Sequence, residues 1–147
     1  VTLEGIAVWP YLGHTFKSLK SLGSIMTGSA YPGLWDLHYD AHDDSLHSMA
    51  EAYTRIYINT CLENKVNVLL NIVNGGKCDG IVYHLNRSCK LMSFLNVETA
   101  EIIKEKTGLP YVSFDGDQTD PRNFAPAQFD TRVQALAEMM EANLAAE

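Results

Sequence analysis

At 147 residues, with 46% hydrophobic and 20% charged side chains, the chain is long enough to bury its own core without disulfides or a structural metal. A net charge of -7 excludes the broad basic surface that nucleic acids or anionic membranes require. No stretch approaches the ~20 apolar residues of a membrane span, and three cysteines are too few and odd in number for a disulfide-stapled secreted protein, so the chain reads as cytosolic.

The chain opens on Val1 and not on Met, which suggests a processed chain or a piece of a longer one. Gly5 to Trp9 is a short apolar run closed by Pro10, the pattern of a buried strand and a turn. Thr15 is placed to cap a short helix over Phe16 to Leu22 that Gly23 stops, and Ser24 to Thr27 follows as a second strand. Tyr31 to Asp44 mixes Pro32, Gly33, Trp35 and four aspartates without a period and reads as a long surface loop. From a cap at Ser45, the residues Leu46, Met49, Ala50, Tyr53, Ile56 and Tyr57 recur at helical spacing, and Leu62 to Val73 carries a further helix ended by Gly75 and Gly76. Gly80 to His84 is a buried strand, Val97 to Thr107 a helix stopped by Gly108, Pro110 to Phe114 another strand, and Pro126 opens a last helix running towards Ala146.

Strands alternating with helices predict one α/β domain over residues 1–147: a doubly wound parallel sheet of about four strands with helices on both faces. Ligands of such sheets bind beyond the carboxyl ends of the strands, which draws attention to the residues after Trp9, Thr27, His84 and Phe114.

The densest chemistry follows His84, in Asn86-Arg87-Ser88-Cys89-Lys90. A thiol near a helix N-terminus and flanked by Arg87 and Lys90 lies in a positive field that favours the thiolate, the form that attacks electrophiles or binds metal. The plainer alternative is a packed structural cysteine. Cys78 and Cys89 flank a strand of about five residues, roughly 16 Å of extended chain, so they cannot share a metal. Cys61 is expected to pack, and no C-x-x-C pair is present. Asn86 and Ser88 are placed to shape the strand-to-helix turn and cap the helix. His84 faces either a substrate or the core, and His14 also lies near a strand end. Asp115, Asp117 and Asp120 with Arg122 read as an internally bonded turn rather than a magnesium site. His38, His42 and His47 with Asp36, Asp40, Asp43 and Asp44 read as a solvated loop rather than a metal site.

The run Asp79-Gly80-Ile81-Val82-Tyr83-His84-Leu85-Asn86-Arg87-Ser88-Cys89-Lys90 resembles the C-terminal part of the 2-hydroxyacyl-CoA dehydratases, a family that includes the related benzoyl-CoA reductases and the 2-hydroxyglutaryl-CoA dehydratase D-component. Gly116-Asp117-Gln118-Thr119-Asp120-Pro121-Arg122, Gln128 and Thr131-Arg132-Val133-Gln134-Ala135-Leu136 extend the resemblance, which is strong from Asp79 to Met140 and looser from Ile6 to Tyr57. It implies that the chain is the C-terminal domain of a longer two-domain subunit. Cys89 is then this domain's ligand to a 4Fe-4S cluster, the remaining ligands lying outside the chain, and the chain alone is inactive. His84, Asn86, Arg87, Ser88 and Lys90 fall around the cluster sulfurs or the substrate.

The same resemblance implies the activity: loss of water from a 2-hydroxyacyl-CoA through a ketyl radical, after one electron arrives from an ATP-dependent iron-sulfur activator. It further implies a homologous second subunit. Three alternatives stand beside this expectation. One is a benzoyl-CoA-reductase-like subunit. Another is a cysteine-nucleophile enzyme in which His84 or His14 activates Cys89. The last is a non-catalytic assembly domain.

Overall fold

Four strands, β1 (Thr2–Glu4), β2 (Gly28–Ser29), β3 (Ile81–Asn86) and β4 (Tyr111–Gly116), pair side by side in the order β2-β1-β3-β4, every pair parallel. The structure is a computed structural model that describes residues 1–40 and 44–146. Parallel neighbours need long crossovers, and these are built from α1 (Leu12–Ser21), α2 (Ser45–Thr54), α3 (Leu62–Gly75) and α4 (Lys90–Thr107), with α5 (Pro126–Leu144) closing the chain.

The two-residue period of β3 divides its side chains between two layers. Val82 joins Leu19, Phe114, Phe129, Val133 and Leu136 under α1 and α5. Ile81 and Tyr83 join Val66, Leu69, Val73 and Ile103 under α3 and α4. Both faces of the sheet are therefore covered, as the alternation of elements predicts. The chain runs outward from β1 to β2 and then returns to β3 on the other side of β1, which opens the usual ligand crevice between β1 and β3. Among the described residues no helix is long and apolar enough to cross a membrane.

Several boundaries differ from the sequence reading, each for a local reason. The first strand is Thr2–Glu4 and not Gly5 to Trp9: Gly5 adopts φ 100 and turns the chain out of the sheet. A Cβ there would lie 2.8 Å from the His84 carbonyl oxygen, so the apolar run that follows packs over the strand end instead of extending it. The second strand is Gly28–Ser29 rather than Ser24 to Thr27, since Gly28 lets the backbone come close to Thr2 and Ile72. Thr15 lies inside α1 and donates its hydroxyl to the Tyr11 carbonyl at 3.1 Å, so it caps nothing. Asp44 rather than Ser45 caps α2, accepting from the His47 amide at 3.1 Å. A 3-10 turn, Tyr31–Trp35, interrupts the expected long loop, and α2 ends at Thr54, short of Ile56 and Tyr57.

The widest difference is α4, which begins at Lys90 immediately after Cys89 rather than at Val97. Its C-terminus is where the sequence places it: Gly108, at φ 72, donates its amide to the Lys104 carbonyl at 2.8 Å.

Gly5→Ala is expected to cost about 2 kcal/mol, from a left-handed backbone and a contact with the His84 carbonyl that cannot relax. Urea unfolding of the variant against the parent chain measures it.

Candidate functional site

β3 ends on Asn86, a buried residue whose polar atoms hold the following turn. Its side-chain oxygen accepts from the Ser88 amide at 3.2 Å, the Asx geometry that bends the backbone back on itself. The Asn86 carbonyl accepts from the Cys89 amide at 3.1 Å and from the Ser93 hydroxyl at 2.7 Å, and that hydroxyl also donates to the Cys89 carbonyl at 3.0 Å. Cys89 is thereby fixed as the N-cap of α4, partly exposed, with no side chain capping the helix. The first amides of an α-helix have no partner within it, and no side chain caps those of α4. Arg87 is tied to the neighbouring strand by its amide, which donates to the Gly116 carbonyl at 2.9 Å, while its guanidinium lies 4.0 Å from Asp115. Lys90 is exposed on the first turn of α4.

The turn after β4 locks onto this loop. Ser88 donates its hydroxyl to one oxygen of Asp117, and the other oxygen accepts from the amides of Thr119 at 2.9 Å and Asp120 at 3.0 Å. These hydrogen bonds, the Ser88 hydroxyl foremost, hold the Asp117 carboxyl down to about 2. Asp120 is engaged by Arg122 at 2.7 Å and also accepts from its amide at 3.0 Å. Asp117 and Asp120 thus form an internally bonded turn, as the composition suggests, with donors from the protein on both carboxylates.

His84 is fully buried. Its ring stacks on Phe114 with centroids 4.8 Å apart and 9° between planes, and Nδ1 donates to the Ile6 carbonyl. Burial pushes its pKa down, so the imidazole is neutral. From this position it braces the turn after β1. His14 pairs with Asp130 at 2.9 Å and links α1 to α5. Neither His14 nor His84 is hydrogen-bonded to Cys89, so the thiol–base pair that a cysteine nucleophile would need is not formed by either of these two histidines.

The other cysteines lie elsewhere. Cys78 is buried at the opposite end of β3, 3.2 Å from the Thr27 hydroxyl. Cys61, expected to pack, is exposed, because it precedes the first turn of α3 as its N-cap. His38 is exposed and 3.8 Å from Asp36, while His42 and Asp43 lie outside the described residues. Among the described residues no group of three or more His, Cys, Asp or Glu side chains is placed to hold a metal.

A family model described as 2-hydroxyglutaryl-CoA dehydratase, D-component, matches residues 1–140. This chain belongs to that family. Lactoyl-CoA dehydratase subunit alpha of Anaerotignum propionicum is 83% identical over 143 residues, covering 97% of this chain and 34% of the relative. The (R)-2-hydroxyisocaproyl-CoA dehydratase alpha subunit of Clostridioides difficile is 48% identical over 141 residues, covering 96% and 34%. More distant is a benzoyl-CoA reductase subunit of Thauera aromatica, 26% identical over 146 residues, covering 96% and 34%. The chain spans about a third of the length of these curated relatives.

Within this member of the family, one group of residues escapes the sequence reading. Glu4, Tyr57 and Lys65 are buried together beneath the carboxyl edge. The Tyr57 hydroxyl donates to Glu4 at 2.9 Å, and the Lys65 ammonium lies 5.1 Å from the centre of the Tyr57 ring. The available signal was a lysine on the apolar face of α3, between Leu62, Val66 and Leu69.

Asp117 gives a pH test of the loop. Its folded pKa lies below the ordinary carboxylate value near 4, so its contribution to stability is complete above that value and fades as pH falls through about 2. The difference in urea midpoint between the parent and Asp117→Asn is therefore expected to hold steady from neutrality to about pH 5 and to shrink steadily below about pH 4.

Proposed function

We propose that this chain is the C-terminal domain of a 2-hydroxyacyl-CoA dehydratase subunit and that it presents Cys89 to a 4Fe-4S cluster whose other ligands lie outside it. The observation that carries this reading is the seating of Cys89: a partly exposed thiol at the N-cap of α4, on the carboxyl edge of a parallel sheet. The donor set fits one corner of such a cluster. Cys78 lies at the opposite end of β3, whereas Cys89 stands at the start of α4 with no side chain capping the helix. The 34% coverage of the relatives leaves room for the remaining ligands in the rest of a longer subunit.

When bound, the cluster supplies an electron and a Lewis-acidic iron for expelling hydroxide from a 2-hydroxyacyl-CoA. The residues of this chain prepare that chemistry. Asn86 and Ser88 set the angle of the turn through their bonds to the Ser88 amide and to Asp117, so the sulfur is presented in one orientation. Arg87 and Lys90 bring positive charge to the anionic group. His84 keeps the turn after β1 in place by holding the Ile6 carbonyl. The electron comes from an ATP-dependent iron-sulfur activator, and a homologous second subunit completes the enzyme.

The 83% identity to a lactoyl-CoA dehydratase subunit favours dehydration of a short 2-hydroxyacyl group over the reductase reading, whose representative is 26% identical.

The test uses the complete subunit with its partner, purified without oxygen, and compares iron, sulfide and visible absorption for the native protein and Cys89→Ser. About four irons per subunit in the native protein, with brown colour and iron lost in the variant, are expected. Iron-free protein in both cases would sink the reading and leave Cys89 a packed thiol.

A further inference from the structure

Lys65 is 2% exposed, on the buried face of α3. An ammonium removed from water needs a compensating anion or it would lose its proton. The groups around it come from separate elements. Glu4 ends β1, Tyr57 stands in the 3-10 turn Tyr57–Asn59 before α3, and Tyr83 lies in β3. Tyr57 fixes the arrangement, with its ring under the ammonium at 5.1 Å and its hydroxyl on Glu4 at 2.9 Å. The second Glu4 oxygen and the Tyr83 hydroxyl have no hydrogen-bond partner among the described residues.

Cys89 packs against the same cluster as Tyr57, together with Ala30, Leu34 and Met92. Burial pushes the Lys65 ammonium's pKa down, and the negative charge of Glu4, followed by that of Cys89, opposes the shift. Burial raises the Glu4 carboxyl to about 7, so Glu4 is only partly ionised near neutrality and does not by itself balance the lysine. Through the Tyr57 ring the Lys65 ammonium and Cys89 belong to one packed neighbourhood.

We infer that Lys65 is a positioning residue: held over Tyr57 and beside Glu4, it supplies a buried positive charge opposing the thiolate of Cys89 and the anionic group that thiolate holds. The inference rests on the reading of Cys89 as a cluster ligand. Its consequence is electrostatic. A fixed cation in a poorly screened interior stabilises added negative charge, so it raises the reduction potential of a group bound at Cys89. Arg87 and Lys90, exposed to solvent, are screened and contribute less.

The experiment is a reductive titration of the complete two-subunit enzyme at pH 8, where Glu4 is ionised, with iron content measured on the same samples. Lys65→Met is expected to retain its iron and to lower the midpoint, with about a tenfold weaker reduction equilibrium, ~59 mV for one electron. Lys65→Arg is expected to restore the midpoint, and Glu4→Gln to move it the opposite way. If Lys65→Met fails to assemble, Glu4→Gln decides: a more positive midpoint supports the inference and an unchanged one overturns it. An unchanged midpoint in iron-loaded Lys65→Met also overturns it while leaving Cys89 a ligand. An iron-free native enzyme would instead remove the reading of Cys89, and this inference with it.

Discussion

The side chain and carbonyl of Asn86 are where the strand layer and the site meet. With one residue at the end of β3, the chain satisfies the Ser88 amide, the Cys89 amide and the Ser93 hydroxyl. A parallel sheet leaves its strand ends facing outward, and the loops there must find partners for their own polar groups. Asn86 answers that need on one side, and Asp117 answers it on the other by accepting from Ser88, Thr119 and Asp120. Because both residues are buried, water does not compete for these bonds, and the turn that carries Cys89 is held from two adjacent strands.

The two faces of the sheet are not equivalent. Under α1 and α5 the core is aromatic, with Phe114, Phe124 and Phe129 in mutual edge and tilted contact, and His84 takes part as a neutral stacked ring. Under α3 and α4 the core carries Glu4, Lys65, Tyr57 and Tyr83. Burying ionisable groups opposes folding, and replacing them with apolar residues of similar volume would serve a purely structural core at least as well. Tyr57, one of these groups, stands in the packing cluster that Cys89 joins.

Much of the architecture was legible in the residue pattern. The alternation of apolar runs and helical periods announced a parallel sheet, Gly108 and Pro126 marked two helix ends, and the buried run beginning at Ile81 marked the central strand. The first strand was misplaced because Gly5 to Trp9 is apolar enough to be a strand, and only the close approach of the His84 carbonyl shows why the chain turns out there. The start of α4 was missed because Lys90 to Asn96 carries exposed Leu91 and Phe94 beside buried Met92, which blurs the helical period. Cys89 and its neighbours stood out because dense chemistry after a buried strand obeys a topological rule that is local in sequence.

By itself, then, the order of residues determined the fold class and drew attention to the carboxyl edge and to Cys89 there, since each depends on short-range patterns of apolar, turn and polar residues. The tertiary structure alone decided that Ser88 answers Asp117, that His84 is a core ring bonded to Ile6, and that Glu4, Tyr57 and Lys65 converge under Cys89. Glu4 and Tyr57 are 53 residues apart. Such a contact exists only once the sheet has brought β1 beside β3 and α3 has packed across them, because burial and charge pairing are properties of assembled surfaces and not of any single segment.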